Sequence, residues 1–111
     1  MTEGSRVHAR LSLRDIPVLP DVWTLAREGF VPGGTKRNHQ SLAGTVRWDP
    51  SLTSEQQLVL ADAQTSGGLL IAFPAERADR LLAELGGRGV ESKQIGSVTD
   101  EAPSGSIDVV P

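Results

Sequence analysis

The sequence predicts one α+β domain, a layered sandwich (α/β in layering) with helices packed on a single mixed β-sheet. Its 111 residues suit one hydrophobic core. Strand-like and helix-like runs follow one another in the order strand, helix, loop, strand, helix, strand, helix, strand, strand. Hydrophobic residues make up 38% of the chain, and with the 12 glycines the apolar share is that of ordinary globular proteins.

Residues 1–6 read as a disordered tail ahead of a domain spanning 7–111. Val7, Ala9, Leu11 and Leu13 alternate with Arg6, His8, Arg10, Ser12 and Arg14. This predicts a strand with one buried face and with His8 facing solvent. Asp15-Ile16-Pro17 breaks the strand. Pro20-Asp21 then opens a short helix running to Glu28, with Val22, Leu25 and Ala26 on one face and Gly29 as its stop. Residues 29–44 read mostly as loop, because Pro32-Gly33-Gly34 disfavours regular structure; one short turn fits around Lys36–Leu42.

Thr45–Trp48 reads as a strand closed by Asp49-Pro50, and Thr53 or Ser54 caps a helix over Glu55–Asp62. Leu69-Leu70-Ile71-Ala72-Phe73 is continuously apolar, which predicts a strand covered on both faces. The clearest helix is Ala75–Leu85. Ala78, Leu81, Leu82 and Leu85 share one face there, and Glu76 stands four residues before Arg80. Gly86-Gly87-Arg88-Gly89 ends it. Strands over Ser92–Thr99 and Ser106–Val110, joined through Pro103 and Gly105, complete the chain.

Composition removes several function classes. The net charge is −3, and the nine arginines among the 11 cations are scattered, so nucleic acid is not expected as a partner. No apolar run approaches membrane length and no signal-peptide pattern opens the chain. The absence of cysteine excludes disulfides, thiol catalysis and Cys-ligated zinc within these residues and fits a cytoplasmic location. His8 and His39 are the only imidazoles, and no metal site is expected. No Gly-x-Ser-x-Gly elbow surrounds any serine. Glu55, Asp62, Glu76, Asp79 and Glu84 read as solvated helix-surface carboxylates, and Trp23 and Trp48 as packing residues.

Two glycine-bearing segments stand out. Gly29-Phe30-Val31-Pro32-Gly33-Gly34-Thr35-Lys36 imitates a phosphate-binding P-loop, but Thr35 and Lys36 are in the wrong order and a helix precedes the loop where a strand belongs. Adjacent glycines can still aim consecutive backbone N–H groups into one concavity, with Thr35, Lys36, Arg37 and Asn38 as further donors. A surface turn between two elements has the same spacing. In Asp62-Ala63-Gln64-Thr65-Ser66-Gly67-Gly68, hydroxyls and glycine amides could together bind an anion or a nucleotide oxygen. A helix C-cap followed by a strand-entry bulge would look identical.

Taken together, Gly-Phe-Val-Pro-Gly-Gly-Thr-Lys-Arg-Asn at 29–38 and Asp-Ala-Gln-Thr-Ser-Gly-Gly-Leu-Leu at 62–70 closely resemble the C-terminal domain of selenide, water dikinase (selenophosphate synthetase). A helix at Ala75–Leu85 and Ile95-Gly96-Ser97-Val98 follow in the family's order, so the resemblance spans roughly residues 7–110. Ala63 stands where the family usually has proline, and His39-Gln40 where a more apolar pair is common. The resemblance implies a fold like the C-terminal domain of aminoimidazole ribonucleotide synthetase. It also implies a reaction in which ATP, selenide and water give monoselenophosphate, AMP and phosphate, for selenocysteine and selenouridine synthesis.

The catalytic cysteine or selenocysteine, its lysine, and the aspartates holding magnesium and ATP belong in that family to an N-terminal domain, whose motifs are not in these residues. The resemblance therefore implies an inactive fragment with no catalytic residue and no cofactor of its own, whose partner is that N-terminal domain in a homodimeric enzyme. Its expected contribution is a substrate- or phosphate-binding wall formed by Gly33, Gly34, Thr35, Lys36, Asn38, Gln64, Thr65, Ser66, Gly67 and Gly68. A structural or assembly module, or a free-standing small-ligand-binding domain, is the alternative.

Overall fold

A computed structural model describes residues 2–64, 67–101 and 103–111. Four strands form one mixed sheet: β1 (His8–Ser12), β2 (Val46–Trp48), β3 (Gly96–Thr99) and β4 (Ile107–Val110), in the spatial order β2-β4-β1-β3. β4 runs parallel to both neighbours, with Ala9 opposite Ile107 and Val46 also opposite Ile107, whereas β3 is antiparallel to β1 with Leu11 opposite Gly96. This register sorts the side chains by the two-residue period of a strand. Val46, Trp48, Ile107, Val109, Ala9, Leu11 and Val98 share one face. Arg47, Asp108, Arg10 and Ser97 form a row across the other. Val109 and Ala9 are buried at the centre, and Leu52, Ala61 and Ala26 extend the core toward the helices.

Among the described residues five α-helices accompany the sheet: α1 (Thr2–Ser5), α2 (Val22–Arg27), α3 (Gly33–Ser41), α4 (Ser54–Leu60) and α5 (Ala78–Gly87). α1 occupies the stretch expected to be a tail. The Thr2 hydroxyl donates to the Gly105 carbonyl at 3.2 Å, and Gly105 itself needs its positive φ of 84° to turn the chain toward β4. α4 starts as its sequence requires: the Thr53 hydroxyl accepts from the Gln56 N–H while the Gln56 side chain accepts from the Thr53 N–H, a reciprocal cap.

Other expectations about the elements also fail. Gly33–Ser41 is a nine-residue helix and not a loop. Pro32 sits at the N-cap, and Gly33 and Gly34 fill the first turn, where no N–H has to find an intrahelical acceptor, so the residues read as breakers begin the helix. The helix is then held from outside: the His39 ring stacks on Trp48 with centroids 5.7 Å apart, its Nε2 meets Gln57 Oε1 at 2.9 Å, and Asn38 Nδ2 donates to the Ala61 carbonyl at 3.2 Å. Leu69–Phe73 is not a covered strand. It runs outside the sheet, with Leu69 93% exposed and Leu70, Ile71 and Phe73 also exposed, because the described sheet ends at β3. Finally, Arg80 pairs forward with Glu84 at 2.9 Å and not back with Glu76, which lies in the 3-10 turn ahead of α5.

Candidate functional site

The first turn of α3 and the residues after α4 meet at one crevice of about 480 Å³, a size within the range of small-molecule sites. Its apolar wall comes from the stretch between β1 and α3, including Pro17, Val22, Leu25 and Phe30, and Leu58 of α4 adds to it. Its polar wall is Thr35, Asp62, Gln64, Gly67 and Gly68.

Asp62 organises that wall. The Thr35 hydroxyl donates to one carboxylate oxygen of Asp62, and Gln64 Nε2 donates to the other at 3.2 Å. Thr35 is only 2% exposed, so its single hydroxyl proton is committed to Asp62. Gly67 has a local reason to be glycine: a β-carbon there would sit 3.2 Å from Gln64 Cβ, against the residue turned back toward Asp62. At the helix start, the Arg37 guanidinium folds over the first turn, 3.7 Å from where a β-carbon on Gly33 would stand and 3.9 Å from the corresponding point on Gly34. First-turn amides and a cation thus share one end of α3, a combination that favours negative charge.

Of the ten residues predicted to form a binding wall, Thr35, Gln64, Gly67 and Gly68 line the crevice. Gly33, Gly34 and Lys36 lie on the adjoining turn of α3 and not in the lining, and Lys36 is exposed. Asn38 is spent on holding α3 to Ala61. Thr65 and Ser66 lie outside the described residues. Sequence reasoning missed Asp62, reading it as a solvated helix carboxylate. It is half-buried and sits past the end of α4, where the capping residue is Ala61. Its position at the head of the second glycine-bearing segment was the available signal.

A second polar cluster lies on the sheet. His8, expected to face solvent, is 4% exposed. Its Nδ1 lies 2.9 Å from Ser106 Oγ, and its Nε2 lies 3.5 Å from Asp108 Oδ2. Three residue types of a hydrolytic triad are in contact here, but the geometry serves packing. Ser106 Oγ donates its own proton to the Pro103 carbonyl at 2.6 Å, and both His8 and Ser106 are buried. Since Ser106 Oγ can then only accept, His8 Nδ1 is the donor in that contact. Asp108 also receives Arg47 through two bonds, 2.6 Å from Nε and 2.9 Å from the guanidinium nitrogen. That fork holds the Asp108 carboxyl below its ordinary range, partly opposed by desolvation, with weaker help from the charges of His8 and Arg10.

The resemblance implies magnesium for a full-length enzyme, held by aspartates of its N-terminal domain. Asp62 is the carboxylate that lines the crevice here, and each of its oxygens accepts one hydrogen bond. Among the described residues no group of three His, Asp or Glu could hold a metal ion. Among the same residues no helix is long and apolar enough to cross a membrane.

A mixed four-stranded sheet bearing helices makes this an α+β domain. The chain belongs to the family described as AIR synthase related protein, C-terminal domain, which matches residues 1–108. Within that class it is similar to selenide, water dikinases. It is 43% identical to the one from Myxococcus xanthus over 110 residues, covering 99% of this chain and 31% of that protein. It is 39% identical to the Porphyromonas gingivalis (ATCC 33277) protein over 111 residues, covering 98% of this chain and 31% of the relative. Against the Shewanella sp. MR-4 protein the identity is 38% over 108 residues, 97% of this chain and 29% of the relative. The chain thus spans about a third of the length of the curated relatives it matches.

Proposed function

We propose that this chain is the C-terminal domain of a selenide, water dikinase, the enzyme that makes monoselenophosphate from selenide, ATP and water and releases AMP and phosphate, in the cytoplasm, for selenocysteine and selenouridine synthesis. The observation that carries the proposal is the 43% identity to such an enzyme across nearly the whole chain, together with the meeting of both glycine-bearing segments at one crevice. The chain contributes no catalytic residue and is inactive alone. Its partner is the N-terminal catalytic domain of a homodimeric enzyme, which brings magnesium, ATP and selenide.

Phosphoryl transfer depends on positioning and on neutralising charge more than on covalent help from the protein. In this reading the N–H groups of Gly33 and Gly34 face the nucleotide phosphates or the released phosphate across the interdomain cleft. Gly67 and Gly68 belong to the facing wall, and the hydroxyls of Thr65 and Ser66, which lie outside the described residues, are the donors the resemblance adds there. Lys36 and Arg37 supply positive charge, and Gln64 and Asn38 keep the two segments in place. The exposed run Leu69–Phe73 favours an accompanying assembly role, in which this apolar segment packs against the rest of the enzyme.

The test is a chimera. Residues 1–111 replace the matching region of the Myxococcus xanthus enzyme, and selenide-dependent AMP formation is measured. The proposal expects activity in the chimera, and a loss of turnover or ATP affinity on adding Thr65→Val with Ser66→Ala. A chimera with unchanged turnover and ATP affinity in that double variant removes the phosphate-wall role.

A further inference from the structure

We propose that Asp62 is the positioning residue of the crevice, the pin that fixes the spacing between the start of α3 and Gln64; this rests on the reading of the crevice as a phosphate-facing wall. The two segments are joined through side chains 27 residues apart in sequence, Thr35 and Asp62. The same carboxylate, through its other oxygen, takes the Gln64 amide. A carboxylate accepts and never donates when ionised, so it can gather one donor from each wall in a way that no single hydroxyl or amide could do with both oxygens.

Two consequences follow from the bonding. The Thr35 hydroxyl is consumed by the pin, so the donors left for a ligand are the glycine amides. Asp62 also places a negative charge beside a wall meant for an anion, which lowers the affinity for any anion that comes close to it.

Three variants separate the parts of this proposal. Asp62→Ala removes both bonds; Asp62→Asn keeps an oxygen for Thr35 but removes the charge; Thr35→Val removes one bond and leaves the charge. Amide spectra and hydrogen exchange are recorded on the 111-residue chain with no ligand present. The pin predicts that Thr35→Val shifts the Gln64, Gly67 and Gly68 signals. It also predicts that Asp62→Ala disturbs Thr35 and Gln64 together and speeds exchange of Gln64, Gly67 and Gly68 by about tenfold, while Asp62→Asn, which keeps an acceptor for Thr35 but turns an amide N–H toward Gln64, disturbs the Gln64 side alone. In the chimera, Asp62→Ala raises the KM for ATP several-fold with kcat nearly unchanged, and Asp62→Asn, with one of the two bonds kept, raises it less. Titration with inorganic phosphate binds Asp62→Asn more tightly than wild type.

Unmoved Gln64, Gly67 and Gly68 signals in Thr35→Val overturn the pin, whatever ATP does. A fall in kcat at constant KM, or weaker phosphate binding by Asp62→Asn, overturns its positioning and charge roles respectively. A chimera that makes no AMP in any form counts against the proposed function and leaves the ligand-free spectra to decide on Asp62.

Discussion

Replacing Gly96 with alanine is the sharpest steric test of this fold. Gly96 begins β3 and stands opposite Leu11 of β1. A β-carbon built there would overlap the Arg10 carbonyl oxygen and lie 3.0 Å from both the Arg10 carbonyl carbon and Leu11 Cα. All three atoms are backbone of the central strand, so no side chain can swing aside. β3 would have to withdraw from β1 and loosen the neighbouring Ser12 N–H to Ile95 carbonyl bond of 2.9 Å. Overpacking against a fixed neighbour costs about 1–3 kcal/mol, and each ladder bond lost adds about 1 kcal/mol. Together these predict a loss of about 2–4 kcal/mol, a large part of a typical domain's stability of roughly 5–15 kcal/mol. Urea unfolding followed by circular dichroism measures it. Gly86→Ala is the control, since nothing lies within 4 Å of its β-carbon position and it sits inside α5; it should be neutral or stabilise by up to about 1 kcal/mol. A Gly96→Ala protein within about 0.5 kcal/mol of wild type, the usual scatter of harmless surface changes, would refute the strand register.

Three further outcomes are expected. Ser106→Ala strands the buried His8 Nδ1–H and should cost about 1–3 kcal/mol in the same urea experiment. Arg47→Ala should weaken the chain above about pH 4 and progressively less below it, because Asp108, whose carboxyl the Arg47 fork holds low, contributes stability only while ionised and loses it as pH falls through its folded-state value; urea midpoints across the acid range check the sign. Leu70→Glu with Ile71→Glu should leave stability unchanged within about 0.5 kcal/mol while reducing self-association in sedimentation, since both side chains are exposed.

What the sequence made legible, and what it did not, follows from where each element gets its stability. α4 was readable because its start is written locally, in Thr53 and Gln56. β1 was readable because apolar alternation reports one covered face directly, and β2 and β4 because Asp49-Pro50 and the turn through Pro103 and Gly105 bound them. α3 was not readable, because its stability comes from His39 on Trp48, Asn38 on Ala61 and Thr35 on Asp62, contacts with residues far along the chain. His8 was misread because alternation assumes that the second face of β1 meets water, whereas Ser106 and Asp108 cover it. Leu69–Phe73 was misread for the opposite reason: apolar character alone cannot say whether a sheet has a place for the strand. The crevice was half legible. The two glycine-bearing segments pointed to it, but Asp62, which joins them, looked like any surface carboxylate until both of its partners were in place.

The most direct measurement is an ATP titration of the isotopically labelled chain, followed amide by amide to about millimolar ligand, where weak sites saturate. The largest shifts should fall on Gly33, Gly34, Gly67 and Gly68, with smaller ones along the apolar wall near Val22 and Phe30. Shifts confined to the Arg10–Asp108–Arg47 row of the sheet, or none at any residue, would contradict a nucleotide-facing role for the crevice.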